Sequence, residues 1–329
     1  MNFISRVSLG FLLALLVQVD AATNVLAQDR PIDILPDELK AGVNEALSSA
    51  LDALHIYSSA DTVSSGYYVF DEDAEPDTKL DVLKVLGEYT FSDGPDDTFV
   101  PLISGLIGNV RLRGDIPPLE ESPGPNDFLT LSTTSIGLGG GFDWTVFGGL
   151  HIVPKMTFVY SHSENTYDYN NEGSQLFLQP FDGDLFNWDV DTISYLPSLK
   201  AYYRWMLGKV RITPSAQYSH LHVDSFWTNS ALLDVKTNTD ILKTRVGVAA
   251  PLGAEISGMP LENELFGALN FIYGDAEEAL GFPRYNEVGT LISALSSGQL
   301  PWFSKLGVGA TYVWNSNFDG WRVGLEGEF

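Results

Sequence analysis

No cysteine occurs in the 329-residue chain, so neither disulfides nor thiolate-bound zinc can hold its fold. Basic residues are scarce: 18 Lys and Arg stand against 43 Asp and Glu, a formal net charge of -25. A polyanion such as nucleic acid would be repelled, which removes that class of partner. Long apolar runs are missing after the first residues, and the one there, Val7 to Val19, is shorter than the ~20 residues that span a bilayer as a helix. An inner-membrane helical protein is therefore excluded. With 44% hydrophobic and 12% aromatic residues, so is a disordered chain.

What is present begins with "MNFISRVSLGFLLALLVQVDAATNVLAQ". One arginine, an apolar stretch and small residues around Val25-Leu26-Ala27 make residues 1 to 27 a secretory signal peptide. Acidic residues gather in polar stretches such as "FDEDAEPDTKLD" and "SHSENTYDYNNEGSQ", the composition of solvated loops.

From residue 61 to 329 the chain is dominated by segments of about 9 to 15 residues with alternating hydrophobicity, separated by turn signals. In "LHIVPKMTFVYSH", Leu150, Ile152, Met156, Phe158 and Tyr160 share one face, while His151, Lys155, Thr157 and Ser161 share the other. Trp144, Trp205, Trp314 and Trp321 fall at strand ends on the apolar phase, where an interfacial girdle needs them. The strands read as 62 to 70, 80 to 91, 99 to 113, 129 to 144, 148 to 162, 191 to 206, 209 to 223, 241 to 254, 262 to 274, 284 to 295, 303 to 314 and 320 to 329. Dropping the first and 284 to 295 would leave ten, but the alternation of short and long connections would then break. The expected fold is all-β: a transmembrane antiparallel β-barrel of twelve strands in an outer membrane.

The segment 28 to 60 contains an amphipathic helix over about 36 to 57, with Leu39, Val43, Leu47, Leu51 and Leu54 recurring at three to four residues. It carries the acids Asp37, Glu38, Glu45 and Asp52 against one lysine. Strand phase assigns Arg111, Arg113, Lys155, Lys200, Arg204, Arg211, Lys243, Arg245, Lys305 and Arg322 to the polar face that lines a lumen. The acidic helix is accordingly expected inside a basic lumen. Gly137, Gly139, Gly141, Gly247, Gly307 and Gly309 on the same face are expected either to admit it or to relieve crowding between strands.

The chain ends "GWRVGLEGEF". Trp321, Val323, Leu325 and Phe329 alternate up to a terminal aromatic, which is similar to the insertion signal that the barrel assembly machinery reads in outer-membrane proteins of Gram-negative bacteria. Signal peptide, lumen helix, twelve strands and terminal Phe together resemble the translocator β-barrel of autotransporters. With only about 35 residues between Gln28 and the first strand, the resemblance is to the solitary, passenger-less type, and secretion of a self-encoded cargo is not implied. The helix also lacks the Asn-Asp pair that some autotransporters use for self-cleavage.

No pattern points to catalysis, a cofactor or a metal. "GLGGGF" is followed by "DWTVFGG" rather than by a helix, so it cannot cradle a phosphate. His220 and His222 share a face, but the lipid-side phase makes them interfacial. A lipid hydrolase would need a pair from Ser161, His162, Ser163 and Asn165 to meet through space, yet adjacent strand residues point apart. The functional expectation is a non-enzymatic, surface-exposed structural, interaction or vestigial transport barrel. A passive, porin-like channel with a basic lumen is the alternative, and a lipid hydrolase the third. Expected partners are outer-membrane lipid and lipopolysaccharide, with the assembly machinery during insertion; no motif specifies a surface ligand.

Overall fold

The computed structural model describes residues 37–59, 66–69, 78–91, 98–116, 124–296, 305–316 and 319–328. The signal-peptide reading and Phe329 lie outside the described residues.

Among the described residues one helix, α1 (Asp37–Ser59), precedes thirteen strands. These are β1 (Gly66–Val69), β2 (Thr78–Thr90), β3 (Phe99–Ile116), β4 (Asp127–Phe147), β5 (Leu150–Asp168), β6 (Asp189–Tyr203), β7 (Trp205–Leu207), β8 (Val210–Thr228), β9 (Lys236–Ile256), β10 (Met259–Gly274), β11 (Arg284–Leu295), β12 (Lys305–Trp314) and β13 (Asp319–Glu328). Short helices α2 (Glu172–Phe177) and α3 (Asp275–Leu280) lie in connections. Every pairing is antiparallel, and β1 meets β13 with Tyr67 opposite Trp321, so the hydrogen-bonded order returns on itself as a barrel. β6 and β7 both pair with β8 and are one strand interrupted at Arg204, which makes the wall twelve-stranded.

The connections at one end are tight. Gly148, Gly149, Gly208, Ser257 and Gly258 all take positive φ, as two-residue hairpins require. Long connections, holding α2, α3 and the segment 229–235, close the other end. Short turns mark the periplasmic side of such barrels and long loops the outer side. β4 and β9 each run 21 residues, about twice what crosses a bilayer, so their ends project beyond it.

Period two sorts the side chains. Ile107, Leu138, Phe158, Leu265, Val308 and Val323 point out and are exposed, as a lipid-facing band must be. The inner face is split along the barrel axis. Toward the outer end it is apolar, with Val82, Val110, Leu131, Val190, Leu221 and Val223 in one core cluster. Toward the periplasm it carries Lys, Arg, Glu and Ser. A second cluster, Tyr167, Leu178, Phe181, Phe186 and Leu232, consolidates the outer connections. Asp127 ties it down, accepting from the Tyr167 hydroxyl at 2.9 Å and from the Asn170 and Asn171 amides at 2.7 and 3.0 Å.

Candidate functional site in the barrel lumen

α1 lies inside the outer half of the barrel. Six consecutive residues, Leu51, Asp52, Ala53, Leu54, His55 and Ile56, are buried. At about 100° per residue such a run covers every azimuth of a helix, so this turn and a half is enclosed on all sides. The expected division into one buried and one wet face therefore does not hold there. Leu51, Leu54 and Ile56 pack on the apolar inner wall, while Ala276 and Leu280 of α3 and the adjacent Phe282 complete the enclosure.

Three polar residues fix the helix. Asp52 accepts from the Thr237 hydroxyl at 2.8 Å and the Thr239 hydroxyl at 2.5 Å, both on β9. His55 Nδ1 donates to the Leu51 carbonyl at 2.6 Å, and its Nε2 accepts from the Thr192 hydroxyl of β6 at 2.8 Å. Nearer the outer opening, Asn44 bonds both ways with the Asp234 backbone: its Oδ1 accepts from the amide at 3.0 Å and its Nδ2 donates to the carbonyl at 3.4 Å. Burial raises the Asp52 carboxyl to about 6, against the lowering effect of the two threonine donors, and the Asp275 charge adds to the rise. Burial likewise lowers the His55 imidazole to about 4. Each is held toward its neutral form.

Among the described residues, it is the wall that supplies the carboxylates for the lumen bases. Lys243 and Arg322 converge on the two Glu287 oxygens at 3.2 and 3.5 Å. Toward the periplasm, Arg245 and Lys305 share Glu264 at 2.6 and 3.9 Å, and Arg211 meets Glu262 at 2.6 Å. Lys155 reaches Glu88 at 3.6 Å. Lys200 and Arg204 sit exposed at the periplasmic mouth over the Tyr202 ring, at 5.4 and 5.1 Å. Of the acids of α1 expected to pair with these bases, Asp52 is held by hydroxyls instead and Glu45 is exposed, while the side chains of Asp37 and Glu38 lie outside the described residues. The glycines serve the wall too. A Cβ on Gly247 would fall 2.2 Å from Glu264 Oε1, and one on Gly139 would fall 2.6 Å from both Ser104 Oγ and Thr157 Oγ1.

Arg111 and Arg113 are the second correction. They share the outward phase of β3 with Ile103 and Ile107, whereas Leu102, Leu106 and Val110 face in. Both faces of β3 are apolar in its middle, so alternation alone assigned the wrong one.

Other residue groups also take definite places. Ser161 and Ser163 point inward, bonded to Ser135 at 2.7 Å and Thr133 at 2.8 Å, while His162 points outward to Asp191 at 2.8 Å. No serine and histidine meet there. His220 and His222 face outward with separate carboxylate partners, Asp240 and Asp224, and among the described residues no group of His, Asp and Glu could hold a metal. Trp321 and Val323 project outward and are exposed, Trp321 beside Tyr312 at a ring distance of 4.9 Å. Leu325 pairs in register with Val308.

Glu262, Glu287, His55, Thr192, Thr237 and Thr239 are the functional residues that sequence reasoning missed. Glu262 and Glu287 lie on the inward phase of β10 and β11, so phase could have found them. The threonine contacts join residues far apart in the chain and leave no local signal.

Comparison with known proteins follows the same lines. The solitary outer membrane autotransporter β-barrel domain family matches residues 89–326. Among solved structures, the translocator domain of the autotransporter NalP from Neisseria meningitidis is similar with a TM-score of 0.53 at 9% identity, covering 80% of this chain and 84% of that one. The β domain of the Bordetella autotransporter BrkA aligns at 14% identity over 80% of this chain and 94% of that one, with a TM-score of 0.49. No curated protein sequence matches.

Proposed function

Because the chain belongs to the solitary outer membrane autotransporter β-barrel domain family and resides in the outer membrane, we propose that it is a non-enzymatic surface barrel kept closed by its own helix. The observation that carries this reading is the enclosure of Leu51 to Ile56 on every side within the outer half of the lumen. A helix about 10 Å across with its side chains, wedged between wall and α3, leaves no continuous aqueous path at that level. Pairing of the bases with Glu262, Glu264 and Glu287 further removes the positive field that an anion-preferring channel would need.

The non-enzymatic reading is supported by the separation of Ser161 and Ser163 from His162 on opposite faces of β5. The exposed outer connections are the part of the molecule offered to the cell surface, and structural or interaction roles use them without transport.

Single-channel recording in a planar bilayer tests the closed state. The mature chain is expected to be silent, and Asp52→Lys, which sets a cation against α1's threonine anchors, is expected to open it. Steady conductance by the unsubstituted chain would overturn the reading in favour of a passive channel.

A further inference from the structure

The barrel register stacks outward-facing residues of β2 to β6 into rows that can be followed strand by strand. One row runs Val85, Ile107, Ile136, Tyr160 and Ile193, wholly apolar or aromatic. Two residues nearer the outer end it becomes Leu83, Asn109, Thr134, His162 and Asp191. The next is Asp81, Arg111, Ser132 and Glu164, and the one above it pairs Lys79, Arg113, Thr130 and Thr166. Four residues of strand separate Ile107 from Arg111. At ~3.3 Å per residue and a tilt of ~40° that is roughly 10 Å along the barrel axis. The two guanidinium groups therefore stand just above the hydrocarbon edge, at the level of outer-leaflet headgroups.

Their surroundings leave them available. Among the described residues Arg111 has no hydrogen bond or ion pair, and Arg113 meets only Asp81, at 4.0 Å with both side chains about half exposed. Such a contact is worth little in water. The hydroxyls of Thr130 and Ser132 lie beside them in register, and Ser132 donates to Glu164 at 2.9 Å. Elsewhere on the outer rim the outward positions carry acids in closed sets: Tyr160 and His162 on Asp191, and Tyr218 and His220 on Asp240. In a chain with net charge -25, the β2–β3 sector is where outward guanidinium groups gather.

We infer that Arg111 and Arg113 bind the phosphate of a phosphorylated outer-leaflet glycolipid whose acyl chains lie on Ile103, Ile107, Ile136 and Leu138. Guanidinium groups grip phosphate oxygens in bidentate fashion, which a lysine ammonium does not. Spaced about 6.6 Å apart on one strand face, the pair can hold one phosphate between them, with the Thr130 hydroxyl as a further donor. The apolar row beneath favours a lipid over free phosphate, since the same molecule fills both surfaces. This site is independent of whether α1 closes the lumen.

The test is retention of bisphosphorylated lipid A by the purified full chain in detergent, read by native mass spectrometry. The double variant R111A/R113A is expected to bind at least tenfold more weakly, and so is fully dephosphorylated lipid A to the unsubstituted chain. K200A/R204A, which removes the same charge at the periplasmic mouth, is expected to bind as the unsubstituted chain does. The proposal is overturned if R111A/R113A retains the lipid, if K200A/R204A loses it equally, or if inorganic phosphate at millimolar concentration displaces it.

Discussion

Docking of α1 should be nearly independent of pH in the unsubstituted chain and strongly dependent in either of two single variants. Asp52 has its carboxyl raised to about 6 from an ordinary 3.8. Its contribution is favourable while protonated; a cost begins as pH rises past the ordinary value and is complete above about 6, reaching about 3 kcal/mol. His55 has its imidazole lowered to about 4 from 6.5. Its cost is absent above 6.5, grows as pH falls, and is complete below about 4, again reaching about 3 kcal/mol. The slopes are opposite, so the sum varies by only about 1 kcal/mol between pH 4 and 7. Asp52→Asn removes one slope and should weaken docking roughly a hundred-fold from pH 7 to pH 4. His55→Gln removes the other and should weaken it several tens-fold from pH 4 to pH 7. The absence of native cysteine supplies the assay: Ala53→Cys, at a buried position of α1, reacts with a thiol reagent in proportion to the undocked fraction. Rates are normalised to a free thiol at each pH. A flat profile in Asp52→Asn, or one that rises with pH where it should fall, would refute the reasoning.

Three further outcomes are expected. Glu287→Gln leaves Lys243 and Arg322 buried without their carboxylate and should destabilise the folded barrel by about 3 to 5 kcal/mol, read from the urea midpoint; replacing all three residues by methionine should recover most of the loss. Thr237→Val with Thr239→Val strips the donors that lower the Asp52 carboxyl, so the carboxyl rises further and the cost of docking α1 keeps growing above pH 6, seen as channel openings that become more frequent from pH 6 to pH 8. Gly247→Ala drives a methyl group into the Glu264 carboxylate that holds Arg245 and should cost about 1 to 3 kcal/mol in the same urea assay.

The barrel was legible because a wall with lipid on one side and water on the other imposes period two on every strand. β11 is seen at 284–295, the span retained in the sequence reading because dropping it would break the alternation of short and long connections. β1, read from 62 to 70, is described only as Gly66–Val69, while β8 and β9 extend further outward than their alternation indicated, since beyond the membrane the outward phase no longer has to be apolar. Phase failed at Arg111 and Arg113 for a physical reason: α1 packs on the inner face of β3 at Val110 and Leu112, and Leu102 and Leu106 are buried on the same face, so neither face was marked as polar. The partners of the bases were partly visible, as Glu88 and Glu264 share their phase. The choice of wall carboxylates over helix carboxylates was not visible, because it depends on the depth at which α1 stops.

The two-layered inner wall ties the history of one part of the chain to another. Around α1 the outer half of the barrel is greasy inside, so residues such as Val110, Val190 and Leu221 answer to the rules of a soluble protein's interior although they belong to a membrane wall. A lineage that lost the helix would expose that lining to water, and one that made the lining polar would lose the helix's seat. Substitutions in the two should therefore be accepted together or not at all, while the periplasmic half of the same strands, lined by its own charges, remains free to vary without them.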